Sequence, residues 1–227
     1  MRALTRRTVF FGFFILGGIL LKVFWQGFVH DVVRLPKHFV HGTITVEEAL
    51  WKRRSIRMYT DEAIVPQELA ALLKATHNTA SADSVMYPGQ SFNIFVYIRH
   101  VQNIPAGLYH YCSEKQELRR VNKKVAMPDI IAAVPGRDWI RKSAAMLIFS
   151  ADYSRIAVPS WERGMRSSHI KIGKAVQNVY LEAASLNLGT VVMMAFYDDR
   201  VKQLFLSGSR EEPVCLMPVG KPLKDAR

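Results

Sequence analysis

The feature that most restricts the fold is an apolar stripe between Ser168 and Leu186. Ile172, Val176, Val179, Ala183 and Leu186 recur at three- and four-residue intervals, the spacing that lines one face of an α-helix. Asn187 and Gly189 follow as stop signals. Around this helix the pattern changes to short strands. Asn93–Ile98 and Gly107–Tyr111 read as strands separated by a polar turn with Asn103 and Pro105, and Ala144–Ser150 is an apolar run suited to a buried strand. Gly189–Met194 and Pro213–Val219 read as buried strands with a helix, Asp198–Leu206, between them. Upstream, Thr45–Arg54 reads as a helix with Val46, Ala49 and Leu50 on one face and Glu47 and Glu48 in its first turn. Pro66–Thr76 is a second, with proline near its start and Leu69, Leu72 and Leu73 on one side. Helices alternate with hairpins and isolated strands, not in strict βαβ order. The order predicts an α+β domain over residues 45–227, with helices packed on a mostly antiparallel central sheet. A chain of 227 residues has room for one such domain plus an appendage.

The appendage is the N-terminus. Met1–Arg7 contains three arginines, and Thr8–Leu21 then runs without a charge. Extended through Lys22 and Trp25 to Val29, the segment is 22 residues long. As a helix it reaches roughly 33 Å, enough to cross a bilayer. Lys22 and Trp25 suit the far interface, and no small-x-small cleavage site follows. Residues 1–29 are therefore expected to form an uncleaved membrane-spanning helix, with the N-terminus in the cytoplasm and the domain on the outer, periplasmic side. Thr5-Arg6-Arg7-Thr8-Val9-Phe10 also resembles the twin-arginine export motif, although paired arginines equally serve as an ordinary positive flank. Residues 30–44 read as a linker. His30, His38 and His41 within it lack a helical i, i+4 spacing and a carboxylate partner, so no metal site is expected there.

The net charge of +12 raises the question of nucleic acid. Residues 1–40 hold six Lys or Arg against a single Asp, so +5 of the total lies in a short apolar stretch and +7 is spread over the rest. The densest run, Arg119-Arg120-Val121-Asn122-Lys123-Lys124, has no interleaved aromatics for base stacking and reads as a solvated hairpin or loop. The surplus fits anionic small ligands and an anionic membrane surface better. Cys112 and Cys215 are the only cysteines, with no CxxC pair, which excludes a disulfide scaffold and standard zinc or iron–sulfur frameworks. Both read as buried free thiols that could pair only in an oxidising compartment.

Chemistry concentrates at Arg53-Arg54-Ser55-Ile56-Arg57, directly after the first helix. Three guanidinium groups and a hydroxyl within five residues suit a phosphate monoester dianion. Arginines also collect at helix C-termini because the dipole favours them there. The residues alone leave both readings open.

Arg53-Arg54-Ser55-Ile56-Arg57-Met58-Tyr59 resembles the R-R-S-x-R-x-[FY] opening of the nitroreductase family of flavoproteins. Ile64 and Glu68–Ala75 resemble that family's second helix, and Ser84–Val96 sits where it has a flavin-contacting loop feeding a strand. Gly107–Tyr111 is similar to a segment of the subgroup containing peptide azoline dehydrogenases. Trp161–Gly164 and Gly173–Ala184 resemble the long central helix and its approach, and Leu186–Thr190 and Pro218–Pro222 the closing strands. The similarity runs in consistent order over residues 45–222.

The resemblance implies a homodimer with FMN at two subunit-interface sites. Arg53, Arg54, Ser55 and Arg57 inherit the phosphate role and Gln90 a polar contact to the flavin. Met194 and Ala195 match a segment that approaches the flavin through its backbone, and Lys221 completes the phosphate site. Met194-Ala195 stands where many members have an acidic residue before glycine, which implies more apolar ring surroundings. The paired lysine and tyrosine of azoline oxidation have no clear counterpart. The implied activity is hydride or electron transfer through flavin N5 to or from a nitroaromatic, quinone, halogenated aromatic or similar small molecule. The electron donor is NAD(P)H or, for an exported domain, a quinol or a redox protein. No protein nucleophile is then needed, and Tyr87, Tyr197 and His169 are the candidate proton donors. The competing class is a membrane-tethered flavin-fold protein that has lost turnover and serves binding or assembly.

Overall fold

A computed structural model describes residues 32–37, 42–77, 92–121, 124–155 and 161–224. The expected membrane span, the three linker histidines, Gln90 and Tyr87 lie outside these residues. Among the described residues no helix is long and apolar enough to cross a membrane.

In chain order the elements are strand β1 (Val32–Arg34), helices α1 (Val46–Lys52) and α2 (Pro66–His77), then strands β2 (Asn93–Ile98), β3 (Gly107–Cys112) and β4 (Glu117–Arg120). Helix α3 (Met127–Ala133), β5 (Ala145–Ala151), α4 (Trp161–Ser185), β6 (Gly189–Thr190), α5 (Asp198–Phe205) and β7 (Glu212–Gly220) complete the set. Seven strands form one sheet in the order β1-β4-β3-β2-β5-β7-β6, every neighbouring pair antiparallel. The expected α+β architecture is present, with helices on both faces.

Alternation along the central strands explains the two layers. Ala145, Leu147, Phe149 and Ala151 of β5 pack with Ile94, Val96 and Ile98 of β2 beneath α2 and α4. Met146 and Ile148 point the other way, toward Ile130, Val201 and Phe205 of α3 and α5. A strand covered on both faces reads as a continuous apolar run, because each face takes every second residue. Of the stripe legible in the sequence, Ile172, Val179, Ala183 and Leu186 are buried in the first layer with Val176 packed against it, and helix α4 adds Ala175 and Tyr180. Helix α2 is enclosed more fully than its leucines alone suggest, with Leu69 through Leu73 all buried.

Two details differ from expectation and one agrees with it. Val32–Arg34, inside the stretch read as a linker, adds an edge strand to the sheet through β4. As expected for a solvated hairpin, Arg119 and Arg120 lie exposed on β4 of the β3–β4 hairpin, where Arg119 ion-pairs with Glu117 at 2.9 Å and Arg120 donates to Ala106 O. Strand β6 is two residues long instead of reaching Met194; beyond it only Met193 bridges Leu216.

Candidate functional site

The Arg53–Arg57 turn begins where α1 stops. Arg53 caps that helix with its N–H on Ala49 O, then turns to ψ 120° and leaves the helical region. The chain runs on beside the ends of β6 and β7. Ile56 N–H donates to Thr190 O at 3.0 Å, Thr60 N–H to Lys221 O at 2.8 Å, and Leu223 N–H to Met58 O at 3.1 Å. Tyr59, 1% exposed, pegs the segment down: its hydroxyl donates to Ile56 O at 2.9 Å and lies 3.3 Å from Pro218 O. Burial pushes the Tyr59 phenol well above its ordinary value, so it remains a donor at neutral pH. Two glycines permit the close approach. A Cβ at Gly189 would lie 2.6 Å from Ile56 Cγ2, and one at Gly220 would lie 3.0 Å from Tyr59 Cδ1.

Tyr180 of α4 ties this turn to the strand that leaves the sheet. Its hydroxyl accepts from Val192 N–H at 2.7 Å and lies 3.2 Å from Ser55 Oγ. The Arg53 guanidinium sits over the Tyr180 ring, 5.2 Å from its centroid.

Two cavities flank the turn. The first, about 550 Å³, is lined by Arg53, Arg54 and Thr190, with Lys52, Lys224 and the exposed Trp51 around them. The buried Thr190 Oγ1 has no hydrogen-bond partner among the described residues. The second, about 410 Å³, is lined by Arg57, Arg137, Trp139 and the run Val191–Ala195. No carboxylate lines either cavity among the described residues. Both fall within the size of small-molecule sites, and both are cationic.

The expected site residues are thus divided. Arg53 and Arg54 face the first cavity, while Arg57 shares the second with Met194 and Ala195. Ser55 stands between them on Tyr180. Lys221 lines neither; its ammonium pairs with Glu68, whose other oxygen accepts from Val65 N–H at 2.9 Å and closes the first turn of α2. His169 bonds the Tyr153 hydroxyl at 2.8 Å, and Tyr197 stacks with Arg200 at 4.9 Å; neither lines these cavities.

Four residues were not foreseen. Tyr180 and Thr190 had a signal, since a hydroxyl on a buried stripe must find a partner. Arg137 and Trp139 had none. They lie in a loop after α3, turned by Gly136 at φ 73°, and only the tertiary fold brings them to Arg57.

The sequence profile of the nitroreductase family matches residues 50–221. A protein of Methanocaldococcus jannaschii assigned as a nitroreductase is 32% identical over 189 residues, covering 80% of this chain and 93% of the relative. The crystal structure of a protein from Anabaena variabilis with the same assignment aligns with a TM-score of 0.70 at 26% identity. That alignment covers 84% of this chain, which spans only 41% of the Anabaena chain. A protein from Desulfovibrio desulfuricans, likewise assigned as a nitroreductase and crystallised with FMN, shares the fold with a TM-score of 0.57 at 19% identity over 81% of this chain and 90% of its own. This chain belongs to the nitroreductase family.

Proposed function

We propose that the chain binds FMN across the two cavities and transfers electrons to a small electrophile of the nitroaromatic, quinone or halogenated-aromatic kind. The observation that carries this reading is the Arg53–Arg57 turn itself, which presents guanidinium groups to both cavities at once. The residues fit the cofactor. A phosphate in the first cavity would neutralise Arg53 and Arg54 and give the buried Thr190 hydroxyl the partner it lacks. A planar ring in the second would meet Trp139, Val192 and Met194, an apolar lining with Arg57 at its edge.

When bound, the flavin supplies a centre that takes up two electrons as hydride and passes them on. The protein binds, orients and desolvates. Tyr59 and Tyr180 hold the arginine turn against the sheet and against Val192, so the guanidinium groups are placed before ligand arrives. Trp139, Val192 and Met193 exclude water from the wall of the second cavity and strengthen the fields of Arg57 and Arg137 there.

The reading extends to a homodimer. Val46, Leu50 and Trp51 of α1 and the nearby Leu223 are exposed at 65%, 51%, 83% and 41%, an apolar surface that a second copy would cover. It also extends to a membrane tether through residues 8–29, with NAD(P)H as donor for a cytoplasmic domain and a quinol or redox protein for an external one. The full chain purified in detergent should be yellow, bleach with dithionite or NAD(P)H, and regain colour with an oxidant. A colourless protein that takes up no added FMN overturns the proposal.

A further inference from the structure

Strand β1 stands where the chain leaves the segment that reads as a membrane span. Val32 follows Val29, the last residue of that segment, by three residues, so at most about 11 Å of extended chain separates them. The strand is pinned to the domain and cannot swing out to lengthen that reach. It pairs with β4 through Val32–Arg119, Val33–Leu118 and Arg34–Glu117. Leu35 N–H then donates to Gln116 O at 3.0 Å, and the Leu35 side chain is buried. A bilayer holding residues 8–29 is therefore met first by the β1–β4 edge of the sheet.

That edge is built for charge and not for another strand. Among the described residues nothing pairs with the outer side of β1, a position that otherwise invites strand addition. Here the strand has three residues, one of them Arg34, and Pro36 and Lys37 come soon after it. Short length, proline and basic side chains all discourage pairing. Arg34, Lys37, Arg119 and Arg120 are exposed, and Val32 beside them is 42% exposed. The neighbouring acids are answered within the hairpin. Glu117 pairs with Arg119 at 2.9 Å with only 12% of its side chain exposed, and Glu114 of the turn is followed by Lys115. The surplus is cationic, and the short connection brings it within the roughly 10 Å over which the potential of an anionic surface acts. None of these residues lines either cavity.

We propose that the β1–β4 edge docks on an anionic lipid surface, with the guanidinium groups of Arg34, Arg119 and Arg120 on lipid phosphates, so that the domain lies against the bilayer. The inference rests on the membrane tether proposed above, and the test separates the two. The full chain is reconstituted in vesicles of phosphatidylcholine, alone or with about 30% phosphatidylglycerol, and acetylated with an uncharged reagent. Mass spectrometry reads each lysine. Lys37 and Lys124, exposed beyond the ends of β1 and β4, report the edge, and Lys174 of α4 is the reference. Relative to Lys174, both should react at least about five-fold more slowly on anionic vesicles than on neutral ones, the effect of a single basic residue at such a surface. Salt at about 0.5 M should remove the difference. Arg34→Gln, Arg119→Gln and Arg120→Gln together should also remove it, with circular dichroism and vesicle association unchanged; if that variant loses its fold, the salt arm decides. Equal reaction on both vesicles, or protection that survives salt or the triple replacement, overturns the docking and leaves the tether standing. A chain that salt washes off anionic vesicles overturns the tether and leaves the docking surface. A chain that associates with neither vesicle overturns both.

Discussion

Replacing Gly189 by alanine tests how the arginine turn is held. The new Cβ would sit 2.6 Å from Ile56 Cγ2, 3.0 Å from Ile56 Cβ and 3.3 Å from the Tyr59 ring. Overpacking of this kind costs about 1–3 kcal/mol. Alanine regains about 0.5–1 kcal/mol over glycine in a strand. The net loss is then about 0.5–2 kcal/mol, or a fall in Tm of about 1–8 °C for a domain of this size. Because Ile56 donates to Thr190 and lies one residue from both Ser55 and Arg57, the displacement should also weaken FMN binding. An effect near ten-fold corresponds to about 1.4 kcal/mol, one charge-assisted hydrogen bond misplaced. Unfolding with and without FMN, together with flavin fluorescence titration, measures both quantities. Ile56→Ala removes the clashing methyl and should recover part of each loss in the double variant, with a coupling above about 0.5 kcal/mol. Ile56→Val keeps that methyl and should rescue nothing. Additive effects of Gly189→Ala and Ile56→Ala, or a Gly189→Ala protein as stable as wild type, would refute the argument that Gly189 sets the position of the turn.

Arg53→Ala with Arg57→Ala should abolish copurification of FMN while the circular dichroism and Tm of the apo-protein stay near wild type, because neither side chain packs in the core. Lys221→Met should instead lower Tm, by leaving the buried Glu68 without its cation, with a smaller effect on FMN content than the arginine pair. Stability should peak between about pH 6.5 and 9 in urea titrations, at slopes up to about 1.4 kcal/mol per pH unit for each group. On the acid side, burial holds His77 below its ordinary value of 6.5 despite a backbone hydrogen bond at Leu73, so the unfolded chain binds a proton first and stability falls as pH drops. On the alkaline side, burial pushes Cys215 from 9.0 up to about 12 and also raises Tyr59; the unfolded chain releases these protons first and stability falls as pH rises. A reporter fused to the C-terminus should read out on the external side of the membrane; a cytoplasmic signal would overturn the proposed orientation and restore NAD(P)H as the donor.

Much of the scaffold was legible because its signals are local. The stripe of α4 survives as a buried face, although the helix itself begins at Trp161, seven residues earlier than the stripe indicates. The apolar run of β5 reads as a doubly covered strand because both faces take alternate residues. The arginine-serine cluster was legible as chemistry, but not its division between two cavities. That division depends on Tyr180 and Gly189, which meet the turn only in three dimensions. The run after Thr190 read as strand from its valines and methionines. Instead Val192 gives its N–H to the Tyr180 hydroxyl, a side-chain partner that composition does not reveal. Helix α3 has seven residues, too short for a period to register, and the loop after it carries Arg137 and Trp139.

The short bridge between Met193 and Leu216 has a consequence for how such a protein diversifies. Met193 N–H and C=O are both fixed to Leu216, at 2.8 and 2.9 Å, and its side chain is buried. The next residue, Met194, projects into the open with no part in the core. Selection is therefore free to exchange the side chain at position 194 with little penalty in folding, while the backbone beneath it keeps its place. One codon can then reshape the wall that greets a substrate. Descendants of this chain would be expected to differ in what they reduce long before they differ in how they fold.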